Sequence, residues 1–177
     1  QLVLALHALP IELSDPDEVH WLFSQQDAGL TDPFGGVAVP REVMSLGVTP
    51  SGRLVGNHVL RGNIVSPLGV VSAGGQTKTI RVVYVGDGSR LILVDGRSVV
   101  KDNGTGIDPS IFTSFHNLRF MLFNGLDGKT RCACTIYEAM YTLGSTSGVQ
   151  SAQYAIRWPF TEGNGAIIKP EEYDSNT

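Results

Sequence analysis

Cysteine is nearly missing from this chain: its 177 residues include two, Cys132 and Cys134. Two thiols cannot build the disulfide framework that staples small secreted domains, and their scarcity fits synthesis in a reducing cytosol. They stand at i and i+2 in a segment that reads as a strand. Both then point to one face, and that geometry disfavours a bond between them. The expectation is a pair of small, buried, reduced thiols; no C-x-x-C or His/Cys pairing suggests zinc. Charge is sparse as well. Charged residues make up 17% of the chain, 13 basic against 17 acidic for a net charge of −4. No basic run occurs, which argues against nucleic acid or an anionic membrane as partner. Long apolar runs are missing too. The opening QLVLALHALPIEL lacks a basic n-region and is too short to span a bilayer, so no membrane insertion is expected. Gln1 is not an initiator residue, which fits a processed chain or a fragment. Catalytic signatures are also missing. His7, His20, His58 and His116 occur singly, none beside a recognisable serine or cysteine nucleophile, and G-x-S-x-G does not occur. No strand carries the dense acidic E-x-D-x-x-E pattern that sets two carboxylates about a glycosidic bond. Glu138 is the one acid inside a clear strand, without an acidic neighbour at i±2 or i±4. The chain is therefore read as non-enzymatic.

What is present is β-sheet. Apolar residues are 42% of the chain, enough to exclude a disordered polymer, and 21 glycines provide for many turns. The clearest stretch is Thr79–Val100, read as a three-stranded meander. Thr79–Val85 and Arg90–Val94 are rich in β-branched and aliphatic residues, with Gly86–Ser89 as the turn between them. Asp95-Gly96 then forms a two-residue hairpin before Arg97. Further strands are expected over His20–Phe23, Arg53–Val59, Gly62–Val65, Asn117–Phe123, Arg131–Leu143 and Tyr154–Phe160. Leu2–Leu9 reads as a strand or a short helix. Ser14–Glu18 resembles a helix N-terminus of a turn or two. Gln25–Gly36, Lys101–Pro109 and Gly125–Lys129 read as loops. Val37–Leu46 alternates poorly and contains Pro40, so it is expected to be an edge strand or no strand. The pattern as a whole predicts an all-β fold, an antiparallel β-sandwich, as one domain over 1–160 with a polar tail over 161–177.

The stretch GQTKTIRVVYVGDGSRLILVDGRSVV resembles the core of laminin-G-like, or concanavalin A-like, jelly-roll domains, where a strand, an Asp/Gly turn and a second strand lead into a V-D-G hairpin. Phe115–Phe123 takes the place of the next strand. Cys134–Tyr141 takes the place of the final I-x-E-hydrophobic-x-Tyr strand, and the resemblance spans Gly75–Gly144. Trp158–Ile168 is similar to the W-x-F/L-x-E-G-x-G segment that borders such modules in bacteriophage tail and adhesin proteins. The resemblance implies a recognition or structural module on a virion, such as a phage tail, or on an extracellular surface.

Candidate site residues follow from chemistry that could serve such a module. Asp87, Asp102, Asp108 and Asp127 lie in expected turns, where Asp caps its own backbone. Asp102, Asn103 and Asp108 supply hard oxygens in one loop, so calcium is held as an option at Asp102 and Asp108, with no other cofactor expected. Asn103, Asn124 and Asp127 are polar groups able to fix sugar hydroxyls. Tyr84 and Tyr137 are among the aromatics able to face a pyranose ring, core packing being the plainer role for each. The expected partners are a glycan or cell-surface receptor, and copies of the chain or other virion subunits. The competing classes are a self-assembling capsid or decoration subunit and a jelly-roll glycan hydrolase.

Overall fold

The computed structural model describes residues 1–11, 15–27, 41–58, 62–85, 89–103, 118–122, 133–143, 154–160 and 171–174. Twelve strands occur among them: β1 Leu2–Leu6, β2 His20–Asp27, β3 Arg41–Val48, β4 Leu54–His58, β5 Gly62–Val65, β6 Thr77–Tyr84, β7 Ser89–Val94, β8 Arg97–Asn103, β9 Leu118–Leu122, β10 Cys134–Leu143, β11 Tyr154–Pro159 and β12 Glu171–Asp174. They form two antiparallel sheets, one of seven strands ordered β12-β11-β10-β1-β6-β7-β8 and one of five ordered β5-β4-β3-β2-β9. No helix long and apolar enough to cross a membrane occurs among the described residues.

The sheets share a single core. Leu2, Leu4, Ile80 and Ile92 from the larger sheet lie in one cluster with Leu22, Leu46, Val48, Leu54 and Ile64 from the smaller. Leu4, Leu22, Leu54, Ile80 and Ile92 are fully buried, each worth roughly 1.5–3 kcal/mol against exposure. Side chains pack directly over Gly56 of β4. A Cβ there would sit 3.2 Å from Ile64 Cγ2 and 3.2 Å from Val82 Cγ1 on the opposite sheet. The result is an all-β, sandwich-like architecture.

The Val94–Arg97 hairpin forms as its residues require. Asp95 has φ 50° and Gly96 φ 79°, the two left-handed positions of a type I′ turn, whose twist matches that of the flanking strands. Asp95 also ties the hairpin to β6. Its N–H donates to Thr79 O at 2.9 Å, its Oδ1 accepts the Thr79 N–H at 2.9 Å, and its Oδ2 pairs with Lys78 Nζ at 2.9 Å. The Thr79 amide, together with Lys78, holds the Asp95 carboxyl below the usual carboxylate range.

Several expectations need correction. The first concerns Ser14–Glu18, whose described part is a turn and not a helix. Asp15 Oδ1 accepts the Asp17 N–H at 2.9 Å and Asp15 O accepts the Glu18 N–H at 3.1 Å. The aspartate side chain thus competes successfully with helical pairing. β3 is an interior strand between β2 and β4, not an edge. Its weak alternation has a physical cause: Leu46 and Val48 are buried on the core face, while Ser45 on the other face is only 2% exposed, and a strand buried on both sides loses its period-2 signal. Lys101–Asn103 belongs to β8 instead of a loop, because Asp102 is in register with Arg90. The C-terminal polar segment contributes β12, which pairs with β11 through Tyr154↔Asp174 and Arg157↔Glu171. The meander β6-β7-β8 forms one side of the larger sheet, and the short β1 is its middle strand.

Candidate functional site

Three of the sequence candidates converge at one end of the sandwich. Tyr84 ends β6 and Asn103 ends β8, and register aligns Tyr84 with Arg90 and Arg90 with Asp102. On the smaller sheet, Gln25, Met44, His58 and Gly62 form the corresponding row. Polar contacts join the two rows. Tyr84 Oη donates to Asn57 O at 2.7 Å, and its ring lies 4.9 Å from that of His58 at an interplanar angle of 44°. Arg90 Nη1 donates to Gly62 O at 2.7 Å. Its Nε and Nη2 converge on Asp102 Oδ2 at 3.1 and 2.5 Å. The Arg90 side chain is 6% exposed and that of Asp102 39%. A buried guanidinium is tolerable only when paired and hydrogen-bonded, and this one is both. The cluster is a clasp between the sheets.

This arrangement changes the meaning of Asp102. Its carboxylate is half-exposed and neutralises Arg90. Asn103 is exposed at the end of β8, next to the clasp. Tyr137 is placed elsewhere, 45% exposed on β10, with β1 and β6 between its strand and the meander's other two strands. Asp87, Asp108, Asn124 and Asp127 lie outside the described residues, as does Cys132. Cys134 is half-buried and not in a disulfide. Among the described residues no group of three or more His, Cys, Asp or Glu is placed to hold a metal ion.

Neither Arg90 nor His58 is a candidate site residue in the sequence. Arg90 carries a detectable signal once the Asp95-Gly96 turn is placed: counting outward across that hairpin brings it opposite Asp102, allowing for one bulge between Ile92 and Leu93. His58 carries none, since its partner Tyr84 is on the other sheet.

A second feature lies on the outer face of the smaller sheet. Asp17, Val19, Thr49, Arg53, Val55, Asn63 and Val65 line an open cleft of about 230 Å³. Arg53 is held there by two bonds: its N–H donates to Thr49 Oγ1 at 3.1 Å and its Nη1 to Ser66 O at 3.0 Å. Its Nε stands 3.7 Å from Asp17 Oδ1.

Comparison with known proteins comes back empty. No family model, curated protein or solved structure matches the chain.

Proposed function

We propose that this chain is a non-enzymatic recognition or structural module that binds a glycan or a surface, carried on a virion, such as a phage tail, or on an extracellular protein. The observation that supports this reading is the clasp. It ties the sheets together where β2, β4, β6 and β8 end, at Asp27, His58, Tyr84 and Asn103. Strands braced in this way provide a rigid base for connections, which is where binding residues concentrate. In this reading the fold is a jelly roll of the laminin-G-like, concanavalin A-like type. The support for that finer assignment is the resemblance over Gly75–Gly144, together with the Asp95-Gly96 turn that it contains. Engagement of Asp102 with Arg90 favours recognition without calcium.

A second reading, a self-assembling capsid or decoration subunit, draws on four large apolar side chains left in solvent among the described residues: Ile11 at 66%, Leu68 at 63%, Tyr137 at 45% and Val65 at 43% exposed. Exposed apolar surface favours contact with another subunit when it is contiguous. Size-exclusion chromatography with light scattering, followed by a glycan array, separates the two. A monomer or small oligomer that binds glycans supports recognition. A large homo-oligomer with a blank array supports assembly.

A further inference from the structure

We propose that the cleft on the outer face of β4 and β5 is a site for one neutral sugar ring of a larger saccharide. This deepens the recognition reading and rests on it. Four observations carry it. The volume of about 230 Å³ falls below the range of roughly 300–1,000 Å³ typical of drug-sized ligands, so the cleft suits a single ring. The floor is apolar, with Val55 buried at 2% and Val65 exposed at 43%, which matches the C–H face of a pyranose. The cation is preset: bonds to Thr49 and Ser66 fix the backbone and one nitrogen of Arg53. The anion stands open to a ligand, its side chain 71% exposed, on a turn whose backbone Asp15 Oδ1 holds by accepting the Asp17 N–H at 2.9 Å.

The separation of the two charges decides the ligand class. At 3.7 Å, Arg53 Nε and Asp17 Oδ1 attract each other but exceed hydrogen-bond length. A hydroxyl placed between them donates its proton to the carboxylate and accepts from the guanidinium, so neighbouring hydroxyls of one sugar ring satisfy both. A phosphate or sugar acid meets the Asp17 charge, and an amino sugar meets Arg53. Asn63, exposed on β5, adds an amide that both donates and accepts. This site is separate from the clasp and from the candidate site residues of the sequence.

The test is a ¹⁵N–¹H NMR titration of the whole chain with the methyl glycosides of glucose, galactose and mannose, and with methyl glucuronoside and glucosaminide as charged controls. The expected result is millimolar binding of at least one neutral glycoside, with the largest shifts at the amides of Thr49, Arg53, Asn63 and Val65. Arg53→Met and Asn63→Ala should each weaken binding about tenfold or more. Asn63→Ala should do so at an unchanged melting temperature, which separates a ligand contact from a structural role. Shifts confined to Tyr84, Ser89 and Asn103 would overturn the cleft while upholding recognition. Silence at every amide, joined to a blank glycan array, would overturn both. Equal affinity for a charged control would overturn the neutral-ligand assignment.

Discussion

Cutting the Arg90–Asp102 pair from either side should give unequal losses, and the inequality is calculable from burial. Removing one partner of a fully buried pair costs about 3–5 kcal/mol, because the survivor is left charged and unpaired in a poor solvent. Arg90 is the buried member, its side chain 6% exposed against 39% for Asp102. Asp102→Ala removes the carboxylate that Arg90 Nε and Nη2 share, and should cost about 2–4 kcal/mol. Arg90→Met fills the space with an apolar chain of similar length and lets the Asp102 carboxylate turn to water, so its cost should be about 1–2 kcal/mol. The double variant should resemble Arg90→Met, giving a coupling of about 2–4 kcal/mol. Urea unfolding of the four proteins reads these values through the midpoints, provided that the slopes agree. For a domain of this size the larger loss corresponds to a fall in melting temperature of roughly 5–15 °C. If Arg90→Met proves as damaging as Asp102→Ala, or if the coupling falls within error of zero, the clasp as drawn here is wrong.

Gly96→Val should cost about 1–3 kcal/mol more than Gly96→Asn, since φ 79° strains a β-branched residue and suits asparagine; equal unfolding midpoints would contradict the type I′ turn. Tyr84→Phe deletes the bond to Asn57 O and should cost about 0.5–1.5 kcal/mol in chemical denaturation. Asp95, with its folded pKa depressed, should contribute stability above its unfolded value of about 3.9, a contribution lost as pH falls through the lower folded value. Asp95→Asn keeps the turn and an acceptor for Thr79, so the gap between it and the parent should be present at neutral pH and close in acid. A gap that widens in acid would reverse the sign. Ile80→Ala, a truncation at a fully buried position of β6, should cost about 2–5 kcal/mol by calorimetry or denaturant; a loss below 1 kcal/mol would place Ile80 outside the shared core.

The sequence by itself determined the strand-forming segments and the one tight hairpin, because both depend on residues a few positions apart. Alternating aliphatic residues over Thr79–Tyr84 and Arg90–Val94, and the left-handed tolerance of Asp95-Gly96, needed no distant partner to be legible. Misreadings arose where a distant element supplied what local pattern seemed to lack. Burial on both faces hid the periodicity of β3, and β11 recruited Glu171–Asp174 from a segment read as tail. Local turn signals made Asp102 a loop residue, yet Arg90 across the hairpin draws it into β8 and uses its charge. Tertiary structure alone decided that Leu2–Leu6 stands at the middle of the larger sheet, since its neighbours Ile80 and Ala139 are remote in the chain. It alone brought Tyr84 to His58 and Asp17 to Arg53, on segments that no short-range pattern relates. Sheet register is long-range information, fixed by which faces bury together; turns are short-range, fixed by φ.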